Sequence, residues 1–256
     1  MSSETSNEFA GRIALVTGAA GDIGRAIVAA LSAGDARVAA SDLDGMPLPA
    51  DLSVLALPCD VGDAQAVEAL VDAVEHRLGP IDHLAHAAGV LRVADTVDLV
   101  EDDWDHCMRV NARGTFLVTR AVARRMAARR QGSIVVVGSN AATAPRAGMA
   151  AYAASKAAVH QQVRCLALEL APLGIRCNLV SPGSTDTAMQ RAFAPTEAHR
   201  ARILRGDPDR FRLGVPVGRI ARPEDVAESV AFLLSDRARH IVLHDLRVDG
   251  GATLDM

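Results

Sequence analysis

The feature that most restricts what this chain can fold into is a strict alternation of short apolar runs with helix-length amphipathic stretches. The runs are Arg12–Thr17, Arg37–Ser41, Val54–Pro58, His83–His86, Ser133–Val137, Arg176–Ser181 and Leu246–Val248. Between them lie helical patterns at Ile23–Ala33, Ala64–Leu78, Trp104–Arg129, Tyr152–Leu173 and Pro223–Leu234. Such alternation builds βαβ units and a parallel sheet. Several runs are almost continuously apolar, as strands covered on both faces require. The expected fold is α/β: a doubly wound seven-stranded parallel sheet with helices on both faces, in one domain spanning residues 1–256. Gly34, Gly79 and Gly174 each follow a helical pattern, where a left-handed cap is common. Pro223, Glu224 and Asp225 make a favourable helix start.

Half the residues are apolar but only 3% are aromatic, so the core has to be aliphatic. This composition excludes a disordered chain, which could not bury enough apolar surface to offset its ordering entropy. The net charge of −4 provides no overall field for nucleic acid. The basic run Arg120–Arg130 at a helix end reads as a solvated face near the negative end of the dipole. The polar Met1–Ala10 segment has no apolar signal core, and no apolar run approaches the roughly 20 residues of a membrane span. Cys59, Cys107, Cys165 and Cys177 show no metal-ligand spacing and read as free, buried thiols. The expectation is a soluble cytoplasmic protein without a metal. One stretch breaks the alternation. Residues 187–218 carry Pro195, Pro208, Pro216 and six Arg and are too long for an ordinary connection, so they are expected to cover a site.

After the first strand the chain reads Thr17-Gly18-Ala19-Ala20-Gly21-Asp22-Ile23-Gly24. Glycines at such a turn let the backbone approach a pyrophosphate, and the helix that follows offers free N–H groups and a positive dipole end. Asp42 ends the second strand, 24 residues after Gly18. A carboxylate there accepts hydrogen bonds from ribose hydroxyls and repels a 2′-phosphate, which favours NAD over NADP.

Of the 27 basic residues, 26 are Arg; the one Lys is Lys156, and the one Tyr is Tyr152. Four residues apart at the start of a helix, they share one face. Arg cannot replace Lys where a compact ammonium must fit beside a phenol and a sugar. A nearby cation favours the phenolate and is expected to lower its pKa by roughly 1–3 units. Ser139 follows an apolar strand, thirteen residues before Tyr152, at a strand end where ligands bind in open α/β sheets. Asn111 sits inside a helical pattern, a poor place for Asn unless its amide has a specific partner.

These pieces resemble the short-chain dehydrogenase/reductase family, with its Rossmann-type sheet. The match runs through Thr17-Gly18…Gly24, Asp60-Val61, Ala87-Ala88-Gly89, Asn111, Ser139, Tyr152-Ala-Ala-Ser-Lys156, Pro182-Gly183 and Val248-Asp249-Gly250-Gly251. The resemblance implies Asn111, Ser139, Tyr152 and Lys156 as the catalytic set. It implies a cofactor site of Gly18, Asp22, Ile23, Gly24, Asp42, Asp60, Val61, Ala88, Gly89, Tyr152, Lys156, Pro182, Gly183, Thr185 and Thr187. Two positions depart from the family pattern. Asp22 stands where a second glycine is usual, and its carboxylate weakens pyrophosphate binding unless it points away or caps the helix. His86 stands where Asn is usual, and a packed or hydrogen-bonded imidazole is expected.

Within the family, further segments resemble the branch that dehydrogenates 2,3-dihydro-2,3-dihydroxybenzoate: Ala87–Arg92, Thr143–Met149, Arg176–Arg191 and Gly218–Pro223. The implied substrate is a cyclic diol carboxylate. A guanidinium grips a carboxylate with two parallel hydrogen bonds, and the candidates are Arg146, Arg92 and Arg191. Met149, Met189 and Phe193, with Gln190 beside them, could contact a flat ring. The amino analogue 2,3-dihydro-3-hydroxyanthranilate, a ketoacyl or sugar reductase and a non-catalytic dinucleotide sensor remain alternatives. A homotetramer is expected, with the helical patterns 104–129 and 152–173 at one interface.

Overall fold

The computed structural model describes residues 7–43, 45 and 54–254. Its sheet has seven strands: β1 (Ile13–Thr17), β2 (Arg37–Asp42), β3 (Leu55–Pro58), β4 (His83–His86), β5 (Gly132–Val137), β6 (Ile175–Pro182) and β7 (Asp245–Val248). All neighbours pair in parallel, in the order β3-β2-β1-β4-β5-β6-β7. The chain thus runs outward from β1 to one edge, returns to β4 beside β1, and continues to the other edge. A crevice opens beyond the carboxyl ends of β1 and β4, where the winding reverses.

Side chains alternate across the sheet. Ile13 and Leu15 face a layer formed by α2 (Ala64–Arg77), α4 (Gly114–Arg129) and α5 (Ala150–Leu170), with Val71, Val118, Met126 and Val163 among the core. Ala14 and Val16 face α1 (Asp22–Ala33) and α8 (Pro223–Leu234), with Ile27, Leu31, Val230 and Leu234. Both layers are aliphatic, so close packing rests on branched side chains.

The structure refines several expectations. The long pattern at 104–129 begins earlier, as α3 (Glu101–Cys107), then widens into a π-helical turn over Met108–Arg113 before α4. Such turns gather at functional sites because they displace one backbone group from the regular ladder. The pattern at 152–173 begins with α5 at Ala150 and ends in a 3₁₀ turn at Ala171–Leu173. Gly79 and Gly174 have positive φ, but Gly34 does not (φ −89°). Gly34 is tight for another reason: a Cβ there would lie 2.6 Å from Phe9 Cδ2. Cys165 is exposed while the other three thiols are buried, and all four are free. The basic run is only partly solvated: Arg125 bridges Glu68 and Asp72, and Arg129 lies 2.9 Å from Glu75, tying α4 to α2.

The stretch 187–218 folds into α6 (Ala188–Phe193), α7 (Glu197–Arg205) and a 3₁₀ turn at Pro208–Arg210. Ala194, Ile203, Val215, Ile220 and Ala252 give it a small core of its own. Thr187 and Thr196 cap α6 and α7 through their hydroxyl oxygens. No helix among the described residues is long and apolar enough to cross a membrane, and no group of His, Cys, Asp or Glu among them could hold a metal ion.

Candidate active site

The glycine turn closes onto the end of β4. Gly18 has φ +70°, and a Cβ on it would lie 2.5 Å from the Ala88 nitrogen; one on Gly24 would lie 2.0 Å from the Gly18 oxygen. Only hydrogen at these two positions leaves the strand, the turn and α1 in contact. Beside the turn runs a groove of about 380 Å³, lined by Gly18, Asp22, Ile23, Gly24, Asp42, Asp60, Val61, Ala88 and Gly89 among others. Asp42 is fixed at the end of β2, with one oxygen accepting from the Ala20 N–H (2.9 Å) and the other from the Leu43 N–H (2.8 Å). Asp60 accepts from the Gly62 N–H and pairs with Arg109 at 2.8 Å. This cradle, with a carboxylate at the far end of the second strand, fits the ribose and pyrophosphate of a nicotinamide dinucleotide.

The two departures from the family pattern have local explanations. Asp22 Oδ2 accepts a 2.6 Å hydrogen bond from the Ala188 N–H at the start of α6, and Arg191 Nη2 lies 3.7 Å away. The carboxylate therefore engages α6 across the groove while still lining it. His86 is buried, and its Nδ1 shares a 2.7 Å hydrogen bond with Thr17 Oγ1. Burial, with Lys156 nearby, pushes its pKa down to about 3, so it is neutral at ordinary pH.

A second cleft adjoins the groove at the ends of β5 and β6. Ser139, Tyr152, Lys156, Pro182, Gly183, Thr185 and Thr187 all line it. Lys156, only 5% exposed, donates a 2.9 Å hydrogen bond to the Val137 carbonyl. Its Nζ lies 5.9 Å from the centre of the Tyr152 ring. Burial lowers the Lys156 pKa from 10.5 to about 8. Tyr152 behaves differently from the sequence expectation. Burial raises its pKa, and the hydrogen bond from Ser139 opposes that rise without overcoming it. Burial dominates over the neighbouring charge in this arrangement, and the Lys156 ammonium itself is anchored on the Val137 carbonyl.

Asn111, in the π-helical turn, has the specific partners that its position called for. Its Oδ1 accepts from the Val90 N–H (2.8 Å), and its Nδ2 donates to the Val90 carbonyl (3.0 Å) and to Ser155 Oγ (2.9 Å). The amide is thus fully used in clamping the loop after Gly89 to α5. Ser155 completes the link by donating to the Tyr152 carbonyl at 2.7 Å.

Arg146, Met149, Met189, Gln190 and Phe193 line the same cleft, but Arg92 and Arg191 do not. Arg92 is paired with Asp103 at 2.8 Å, and Arg191 with Asp186 at 3.1 Å. Sequence reading missed Arg212, which enters the cleft from the chain after α7 and donates to Ser184 Oγ at 3.0 Å. The only signal for it was its membership among six Arg in 187–218. Neither Arg146 nor Arg212 has a carboxylate within ion-pair distance among the described residues; Arg146 has only a long contact to Thr253 Oγ1 (3.5 Å). Burial lowers the pKa of both, and the positive charge of Arg146 lowers that of Arg212 further. Asp249 and Asp207 act on Arg146 and Arg212 only at longer range, so two partly buried guanidiniums without a carboxylate in ion-pair contact lie beside the Ser–Tyr–Lys set, an arrangement suited to an anion.

Residues 18–253 match the family model described as enoyl-(acyl carrier protein) reductase. The chain belongs to the short-chain dehydrogenase/reductase family. It is 44% identical to the 2,3-dihydro-2,3-dihydroxybenzoate dehydrogenase of Bacillus subtilis (strain 168), over 95% of this chain and 97% of that one. It is also 44% identical to the vibriobactin-specific 2,3-dihydro-2,3-dihydroxybenzoate dehydrogenase of Vibrio cholerae serotype O1, over 94% and 95%. Among solved structures, levodione reductase superposes with a TM-score of 0.87 at 28% identity, covering 95% of this chain and 98% of that one. Dehydrogenases of this family use a nicotinamide dinucleotide.

The buried ammonium has a measurable cost. With a folded pKa of about 8 against 10.5 unfolded, Lys156 binds fewer protons in the folded chain between those values, so stability rises with pH across that window. Thermal unfolding of Lys156→Met against the parent tests this. The stability difference should move in favour of the parent as pH rises from 7 to 10, and a difference constant over that range contradicts it.

Proposed function

We propose that this protein oxidises 2,3-dihydro-2,3-dihydroxybenzoate to the catechol 2,3-dihydroxybenzoate, with NAD as hydride acceptor, in siderophore or related secondary-metabolite assembly in the cytoplasm. The observation that carries the reading is the pair Arg146 and Arg212, two cations without counterions in the cleft that holds Ser139, Tyr152 and Lys156. A ring carboxylate satisfies both. Met149, Met189 and Phe193 supply apolar contacts for the ring. The 44% identity to two dehydrogenases of that substrate supports the same choice.

The groove lined by Gly18, Asp42 and Asp60 would hold NAD, which would supply the acceptor for the hydride of the carbinol carbon. Ser139 holds the ring hydroxyl, and Tyr152, in its phenolate form, takes the hydroxyl proton on Oη as the C–H electron pair leaves and the C=O bond forms. The ketone then loses a ring proton and gains a hydroxyl proton, and aromatisation makes the sequence effectively irreversible. Lys156 places a positive charge beside the phenol and reaches toward the groove at Gly89. Asn111 keeps the loop at Val90 in place, and its main-chain carbonyl accepts from the Thr115 hydroxyl at 2.6 Å. Positioning and proton transfer are the work of these side chains; the redox chemistry is the cofactor's.

Arg146→Ala or Arg212→Ala should raise KM for the carboxylated diol roughly ten- to a hundredfold, the size of a lost charge-assisted pair, with a much smaller change in kcat. Tyr152→Phe should abolish turnover and leave NAD binding nearly intact. Unchanged KM in both Arg variants removes the carboxylate from the reading.

The choice of NAD follows from Asp42, whose carboxylate is held at the ribose end of the groove by two backbone N–H groups. The ratio of kcat/KM for NAD over NADP should be well above one and should fall in Asp42→Ala. A parent enzyme that prefers NADP rules out that role.

A homotetramer using α4 and α5 completes the proposal. Phe116 on α4 and Leu168 on α5 are 47% and 62% exposed in the single chain, an apolar surface that a second copy would cover. Light scattering at micromolar concentration should give four times the chain mass, and a monomeric peak refutes it.

A further inference from the structure

Behind the reacting groups lies a buried polar cluster that the chemistry above does not use. His160 is one helical turn past Lys156 on α5 and only 2% exposed. Its Nε2 is 3.4 Å from the backbone N–H of Ser139 and 3.2 Å from Ser181 Oγ. Its Nδ1 faces Asp245 Oδ2 on β7 at 3.3 Å, an electrostatic contact more than an aligned hydrogen bond. Ser181 gives its own hydrogen to Asp245 Oδ1. The other charged groups around the ring are Lys156 and Arg164 on α5 and Arg247 on β7.

These contacts select one protonation state. A Nδ1 lone pair facing the Asp245 carboxylate would be repelled, so the proton sits on Nδ1 and Nε2 is left as an acceptor for the Ser139 N–H, while Ser181, its hydrogen on Asp245, only touches the ring. Burial, with a pKa pushed to about 4, keeps the ring neutral. Nε2 then meets the Ser139 N–H, the backbone group that fixes where β5 ends and the turn at Asn140–Ala142 begins. A Cβ on Gly138 would lie 2.4 Å from Nε2, so the backbone comes close to the imidazole only because residue 138 is glycine. Ser139 Oγ accepts from the Ala141 N–H at 3.1 Å, which leaves its hydrogen free for Tyr152 or for an alcohol.

We propose that His160, held by Asp245 as a hydrogen-bond acceptor, is a positioning residue that sets Ser139 against Tyr152. This rests on the reading of Ser139 as the residue that holds the reacting hydroxyl. The role is one step removed from the chemistry, and resembles the way a buried carboxylate orients the imidazole of a hydrolase triad.

The test uses His160→Leu, which removes the acceptor, and His160→Gln, whose Oε1 can take the place of Nε2. With NAD and 2,3-dihydro-2,3-dihydroxybenzoate, His160→Leu should lose roughly ten- to a hundredfold in kcat while both KM values stay within about twofold, and His160→Gln should recover most of the loss. A second readout needs no substrate. Tyr152 is the only Tyr of the chain, so phenolate absorbance reports it alone. Losing the Ser139 hydrogen bond should move its titration upward by roughly 0.5–1 pH unit in His160→Leu and not in His160→Gln. Cys107, which also raises the Tyr152 pKa, is unchanged in all variants. Wild-type kcat and an unmoved phenol titration in His160→Leu overturn the assignment, as does a Gln variant no better than Leu. Ser139→Ala separates the two readings. If it keeps full turnover, the role of Ser139 falls and this assignment with it; if it is inactive while His160→Leu is normal, only the assignment falls.

Discussion

The hydrogen bond from Lys156 to the Val137 carbonyl joins the helix that carries the reacting groups to the strand that ends beneath them. Val137 is the last residue of β5, and Ser139 lies two residues beyond it. Lys156 is one turn past Tyr152 on α5. The contact therefore ties the strand end that leads to Ser139 to the helix that carries Tyr152. The contact is costly, because an ammonium is buried without a carboxylate, and the chain tolerates it only because a large aliphatic core surrounds the helix. The same burial that depresses the Lys156 pKa raises that of Tyr152, so desolvation acts on both members of the pair in opposite senses.

Around this contact the polar groups divide by function. Those that shape the site are held by specific partners: the Asn111 amide by Val90 and Ser155, and His86 Nδ1 by Thr17. Arg146 and Arg212, which face the cleft from the 146–149 loop and the segment after α7, have hydroxyl partners only, Thr253 and Ser184, and the charge of Arg146 acts against that of Arg212. Asp22 lies between these groups. Placed at the first position of α1, where negative charge is favoured, it is bonded to the first residue of α6. The glycine turn at the start of α1 and the segment 187–218 are thereby in direct contact.

Much of this was legible in the residue order. The seven strands appear within about two residues of their expected bounds, because a strand covered on both faces must be apolar almost throughout, and helical caps and glycines mark where it stops. Tyr152 and Lys156 stood out because each is unique in the chain, and Ser139 because of its spacing from them. What was not legible was pairing. Arg92, Arg146, Arg191 and Arg212 are chemically identical in a sequence, and only the fold gives Asp103 to Arg92 and Asp186 to Arg191 while leaving the other two open. In place of the depressed phenol pKa expected from a neighbouring Lys, the fold gives a raised one, because burial of the ring dominates. Proximity along a helix was correct, but the direction of the ammonium depends on a carbonyl 19 residues away.

By itself, then, the sequence determined the fold class, the glycine turn, the acidic end of the second strand and the candidacy of Ser139, Tyr152 and Lys156, which the fold brings to one cleft. These follow from periodicity and from side-chain chemistry that acts locally. The tertiary structure decided which cations face the cleft, where the Asp22 carboxylate goes, and that His160 and Asp245, 85 positions apart, meet behind Ser139. Those outcomes depend on burial and on contacts between strands and helices distant in the chain, and a charge acquires its role only when it is known which opposite charge, if any, has been folded against it.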